Sequence, residues 1–337
     1  MQKRGNSRHN MMNFLGKRNC AIEFYRLALM FGICFLHSIG FGRHPNVFAS
    51  NVLCSCVVGF VFISGWFGIE FRWWKLVRLY GVGGYAACVF GVLSMAAGTV
   101  STWHGAGILA YNQLIHESWF LHAYAFMMVL APLVNATVSQ RGKVYPLFVM
   151  VWIWGFGLTL PFVADLLPRT NGLNAYGGVT LTAIYAGARI CRKYAIDSRL
   201  STRTLLMMVP FLMFATGIGL GDYNSPFAFA LASSCFLLAM RIPVPARFEK
   251  VVVFLGPSMF SVYLIHTNEL GFSFIKKFMS VADGYMSAPL SVVATAVVVF
   301  VAAAFLDMPR RMIIYFFRKI VLHRDLFLVR DESRFVK

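Results

Sequence analysis

The sequence predicts an all-α fold, a polytopic membrane bundle of about ten transmembrane helices with both termini cytoplasmic. Three observations carry that expectation. Of 337 residues, 58% are hydrophobic and 13% charged, too apolar for an ordinary soluble chain. Apolar stretches of about 20 residues, the length that crosses a hydrocarbon core, recur between clusters of charge. The charge is also one-sided, 31 Lys and Arg against 13 Asp and Glu. In a soluble chain a net charge of +18 would suggest nucleic acid; in a membrane chain it reports cytoplasmic loops, and no nucleic-acid partner is expected.

Taken in order, the spans fall near residues 21–40, 51–70, 79–98, 118–138, 145–163, 176–190, 205–220, 226–240, 251–271 and 286–306. With a cytoplasmic N-terminus, only Arg43, Arg169, Lys276 and Lys277 lie outside and Arg26 lies within the first span, which leaves 26 of the 31 cations inside. Residues 1–18 read as a disordered basic tail, 19–309 as the transmembrane domain and 310–337 as a basic amphipathic tail. Within that tail, Arg310, Arg311, Arg318, Lys319 and Arg324 alternate with Ile313, Phe316 and Val321, a pattern that suits anionic lipid. The first span is too long for a signal-peptide core and carries Glu23 and Arg26, so it is expected to be retained. The seven cysteines form no CxxC pair and sit in apolar runs, so neither a disulfide framework nor a metal site is expected.

Ionisable groups inside spans are costly unless they face the protein interior or a wet cavity, so each is a functional candidate. Glu23 and Arg26 stand one turn apart, and His37 follows Arg26 by eleven residues. That spacing is an offset of about 20° and a rise of about 16 Å, so Arg26 and His37 share one helix face. A snorkelling ion pair and a hydrogen-bonded core histidine are the alternative readings. Ser64-Gly65, in the second span, permits close helix approach and leaves a hydroxyl available. Glu70, Arg72, Lys75 and Arg78 follow it. In the ninth span Tyr263 and His266 are three apart and hence on one face. Counted from the cytoplasmic ends, His266 lies about 22 Å and His37 about 24 Å across, at one depth.

Together these segments resemble the acyltransferase-3 family of integral membrane O-acyltransferases. Arg26 and His37 reproduce its Arg-x10-His spacing, with Glu23 in the acidic position. Phe60 to Trp66 is similar to its phenylalanine-rich ISG segment, and Ser261 to His266 to its late YLIH segment. Glu117-Ser-Trp-Phe-Leu-His-Ala-Tyr, closing at Pro132, resembles its Trp-Phe span, while Lys75 and Arg78 match only loosely the arginine pair that some members carry.

The resemblance implies transfer of an acyl group, usually acetyl from acetyl-CoA, to a hydroxyl of a polysaccharide, glycolipid or other envelope molecule, commonly at a bacterial inner membrane. Chemistry can be argued beside it. An alcohol needs a base to become a nucleophile at neutral pH, and His37, with an ordinary pKa of about 6.5, is the best placed. Arg26 suits the pantetheine-phosphate end of the donor, and Lys75 and Arg78 the nucleotide phosphates. Ser64 reads as an oxyanion donor or as packing, Tyr263 and His266 as acceptor-orienting or helix-fixing, and Glu117, beside His116 and His122, as an acceptor contact. Direct attack and an acyl-histidine relay both remain open. A proton-coupled secondary transporter is the rival reading, but no paired Gly/Pro-broken helices stand in matching halves. Gly217-Ile-Gly-Leu-Gly221 has no strand before it and reads as a packing or flexible segment rather than a nucleotide loop.

Overall fold

A computed structural model describes residues 19–42, 46–139, 177–220 and 225–317. Among these the chain is helical, with no strand. Helix α1 spans Cys20–Phe41 and starts where the Asn19 side chain accepts from the Ala21 amide; α2, Val47–Phe67, starts likewise on Asn46. Helix α3, Trp73–Ala96, is followed by α4, Trp103–Asn112, and a π-turn over Gln113–Glu117. Next come α5, Trp119–Ser139, α6, Gly178–Lys193, and the single turn α7, Ile196–Arg199. Helix α8, Thr202–Ala215, ends in a π-turn, Thr216–Leu220, and α9 is Pro226–Ala239. The last group is α10, Ala246–Leu255, a 3-10 turn at Gly256–Ser258, α11, Met259–His266, α12, Glu269–Tyr285, and α13, Ala288–Leu306.

Seven helical stretches among the described residues are long and apolar enough to cross a membrane: Cys20–Phe41, Val47–Phe67, Trp73–Ala96, Trp119–Ser139, Thr202–Gly219, Arg247–His266 and Ala288–Phe317. The expected fifth span, 145–163, lies outside the described residues, as do the tail over 1–18 and everything after 317. The expected sixth and eighth spans are short helices of 16 and 14 residues. Helix α6 is nevertheless enclosed over its middle, with every residue from Thr180 to Ala188 buried. The ninth span joins α10 and α11 through Gly256-Pro257, and the tenth runs on to Phe317. Two further elements, α4 with its π-turn and the 17-residue α12, lie between spans where connecting segments were expected.

Small residues set the close approaches. A Cβ on Gly65 would strike the Tyr185 carbonyl oxygen and stand 2.7 Å from the Ala188 Cβ, so this glycine seats α2 against α6. Gly59 presses on Leu29, and Gly32 on Cys56, which draws α1 and α2 together. Gly217 lies against the Phe48 ring, and Gly219 adopts φ 103°, a conformation that side-chain-bearing residues rarely take. The Gly217 to Leu220 part of that run thus packs against α2 and turns the chain. No disulfide joins any of the seven cysteines, all of which lie among the described residues.

Candidate active site

Helix α1 crosses the centre of the molecule, packing against α2, α11, α12 and α13, and carries a polar group at each end. Near its start, Glu23 is buried and accepts a hydrogen bond from Arg26 at 2.7 Å. The other Glu23 oxygen has no hydrogen-bond partner and presses on Gly256, where any side chain would collide with it. The Arg26 side chain, 36% exposed, reaches a cavity of about 350 Å³. Lys75, Arg78 and Arg310 line the same basin, which places four cations around one space. Each is held by a neighbour: Lys75 donates to the Glu70 carbonyl at 2.9 Å, Arg78 sits 6.0 Å from the Trp74 ring centroid, and Arg310 is gripped by Asp307.

Ser64 also borders this basin, donating to the Phe60 carbonyl at 3.2 Å and sharing a 2.9 Å hydrogen bond with the Tyr124 hydroxyl. The three residues of the ISG segment therefore face three ways. Ile63 enters the core, Ser64 the basin, and Gly65 the α6 backbone. The loop that follows is tied down by Tyr185, which accepts from the Ile69 amide at 2.8 Å and donates to Asn135 at 2.9 Å.

At the other end of α1, His37 lines a second cavity, of about 430 Å³, with Ser50, Cys54, Trp119, Tyr263 and Phe272. Its Nδ1 lies 3.0 Å from the Nε2 of His266. The equal depth expected of these two histidines is direct contact. Phe272 stands edge-on to the His37 ring, with centroids 5.3 Å apart.

Between the two cavities lies a small apolar space of about 40 Å³, walled by Met30, Ile33, Val57, Phe60, Phe120, Phe260 and Tyr263. Phe60, Phe120 and Phe260 are shared with the cationic basin, and Ile33, Val57 and Tyr263 with the His37 cavity. The Phe120 ring is 5.2 Å from that of Tyr263 and 6.2 Å from that of Phe260, forming an aromatic collar. Three adjoining cavities with shared walls thus lie in series along α1 from Arg26 to His37.

Beyond His37 a third cavity, of about 520 Å³, contains Gln113, Glu117, Glu269 and Lys276, and shares Phe41 and Phe272 with the His37 cavity. The π-turn over Gln113–Glu117 brings Gln113 and Glu117 to it. His122 serves that turn instead of the cavity: one ring nitrogen bonds the Leu114 carbonyl at 2.9 Å and the other the Tyr80 hydroxyl at 3.0 Å.

The structure therefore gathers Glu23, Arg26, Ser64, Lys75 and Arg78 at one end and His37, Tyr263 and His266 at the other, with Glu117 beyond them. It does not bring Ser64 to His37, since the two line different cavities. Sequence reasoning missed Arg310, assigned to a lipid-facing tail, and the hydroxyl of Tyr124. The spacing Asp307-x-x-Arg310, an i,i+3 acidic–basic pair closing a span, is the signal that marks Arg310. Glu269, unassigned before, joins Glu117. Among the described residues, no three His, Cys, Asp or Glu side chains cluster as metal ligands.

A multi-pass helical membrane protein with a polar site threaded along one central helix is the class that this architecture defines. The acyltransferase domain of the acyltransferase-3 family matches residues 20–308, and the chain belongs to that family. No curated protein and no solved structure gives a significant match.

Proposed function

We propose that this protein is an O-acyltransferase that takes an acyl group, acetyl in the simplest case, from an acyl-CoA bound at the Arg26 end and passes it to a hydroxyl of an envelope polysaccharide, glycolipid or lipid-linked sugar at the His37 end. The observation that carries this reading is the series of adjoining cavities, cationic at one end, apolar and narrow in the middle, and ending at an imidazole. A CoA thioester has that order of chemistry: phosphates, then a thin pantetheine arm, then the reacting carbonyl. Arg26, Lys75, Arg78 and Arg310 supply charge-assisted donors for the phosphates. The aromatic collar excludes water around the arm.

His37 acts as general base on the acceptor hydroxyl. Glu23 holds Arg26 in place, and Ser64 with Tyr124 supplies hydroxyls at the basin wall instead of an oxyanion hole at the base. The cavity with Gln113, Glu117 and Glu269 takes the acceptor, since carboxylates and an amide beside Phe41 and Phe272 match a sugar's hydroxyls and apolar faces. On this reading the Arg26 end faces the cytoplasm, where acyl-CoA is made, in the orientation that loop charge favours. The setting is a bacterial inner membrane, and the chemistry uses no metal.

The test is acyl transfer by the purified protein from radiolabelled acetyl-CoA to a panel of envelope lipids and oligosaccharides. Label in an acceptor, lost in His37→Ala and Arg26→Ala while both variants remain folded, supports the proposal. No transfer to any acceptor, together with no acetyl-CoA binding by calorimetry, overturns it.

A further inference from the structure

We propose that His266 is a positioning residue for the base, holding His37 in the tautomer that carries its proton on Nδ1 and leaves Nε2 bare. The inference takes its chemistry from the acyltransferase reading above, but its geometry stands on hydrogen-bond accounting alone.

The Val262 carbonyl oxygen has only lone pairs, so the His266 Nδ1, 2.7 Å away, must carry a proton. A neutral imidazole has a single N–H, which makes the His266 Nε2 an acceptor. The His37 Nδ1, 3.0 Å from it, must then donate. That spends the one proton of a neutral His37, and its Nε2 is left with a lone pair on a ring that lines the 430 Å³ cavity. A solvated imidazole has no such constraint; here the hydrogen bond at one nitrogen dictates the state of the other.

The opposite arrangement requires an imidazolium at His266, which would force the His37 Nδ1 to accept and put its proton on Nε2, abolishing the base. No carboxylate pairs with either ring among the described residues. The titratable side chains around the pair are Cys34, with its Sγ 3.9 Å from the His266 Nε2, and Cys54 and Tyr263 of the cavity wall. A cation without a counterion, at a residue only 2% exposed, is the costly state.

The clamp on His266 is itself built in. His266 is the last residue of α11, and the turn after it is tied by Asn268, which donates to the Ile265 carbonyl at 2.8 Å and accepts from the Gly271 amide at 2.7 Å. Any side chain at Gly271 would run into the His266 carbonyl. His37 is thus wedged between His266 on one side and the edge of Phe272 on the other.

In the reaction, the acceptor oxygen attacks the thioester carbonyl as its proton passes to the His37 Nε2. The C–S bond then breaks, and the CoA sulfur leaves with that proton. His266 stays neutral throughout and accepts a stronger hydrogen bond from the transient His37 imidazolium.

The experiment uses the full chain in lipid nanodiscs, labelled with 15N-histidine, with signals assigned by losing them in His37→Gln and His266→Gln. The expected wild-type spectrum has both rings protonated at Nδ1 and bare at Nε2. Turnover is read as CoA thiol released from acetyl-CoA, with water standing in as acceptor. His266→Gln, whose amide oxygen still accepts from the His37 Nδ1, should keep the His37 tautomer and most of the turnover. His266→Leu should let protonated Nε2 appear at His37 and lower turnover about 100-fold or more, with acetyl-CoA affinity unchanged. A protonated Nε2 at His37 in the wild type, or equal losses in the Gln and Leu variants, overturns the inference. Absence of acyl transfer in the wild type with the expected spectrum intact would overturn the acyltransferase reading and leave the tautomer assignment standing.

Discussion

Asp307 accepts from Arg310 through both carboxylate oxygens, at 2.6 Å from Nε and 2.9 Å from Nη2, and so fixes a guanidinium at the rim of the cationic basin. Asp307 is fully buried and the Arg310 side chain only 11% exposed, so the pair is a fixture of the basin and not a solvated surface contact. Nη2 also donates to the Pro257 carbonyl at 3.5 Å, which leaves Nη1 to meet a phosphate.

Arg310→Gln should weaken CoA binding about tenfold, about 1.4 kcal/mol, and flatten its salt dependence, as read by titration calorimetry at two ionic strengths. Asp307→Asn should cost affinity as well, because it releases the guanidinium, and should also lower thermal stability by leaving a buried arginine without its counterion. Unchanged affinity in both variants would remove Arg310 from the donor site.

Blocking the collar separates binding from transfer. Val57 and Ile33 wall the narrow space between the two cavities, whereas neither lines the basin. Val57→Phe should leave CoA affinity within about twofold and reduce acyl transfer by about 100-fold, since a misplaced thioester forfeits its attack geometry. Ile33→Phe provides a second plug from α1, and the two should behave alike in parallel binding and transfer assays.

Substitution of Gly65 tests the fold. Its added Cβ would meet the α6 backbone at Tyr185, which cannot rotate away as a side chain would. Gly65→Ala should destabilise the protein by about 1–3 kcal/mol, seen as a lower melting temperature, and disturb the Tyr185 bridge that holds the Ile69 loop beside the basin.

On the acceptor side, Glu117→Gln and Glu269→Gln should each raise KM for the acceptor about threefold to tenfold, with KM for acyl-CoA unchanged. An equal rise for both substrates would mean that the outer cavity acts through the fold.

His37→Ala should lower kcat by about 10²- to 10⁴-fold without altering CoA affinity, the signature of a base that works only in the transition state. Loss of CoA binding in the same variant would move His37 from chemistry to structure.

How much of this was legible before the fold can be stated residue by residue. The Arg26 and His37 face follows from helical periodicity, because eleven residues are nearly three whole turns, and the structure keeps both along one line of cavities on α1. Apolar run length found the long helices, since the hydrocarbon core sets one length for all of them. Run length alone does not place α6: at 16 residues it is short for a crossing, and Thr180 to Ala188 are all buried, so its apolar residues report a core position as well. It also passed over α12, whose Lys276 and Lys277 broke the apolar count.

By itself, then, the sequence determined that this is a helical membrane bundle and which residues on α1 carry ionisable chemistry, since period and hydrophobic length are local properties of the chain. Only the tertiary structure decided which distant groups meet them. The contact between His37 and His266 joins residues 229 positions apart, and Arg310 reaches the Arg26 basin from the far end of the domain. Such meetings depend on crossing angles and on glycine-sized gaps between helices, and no local pattern encodes them.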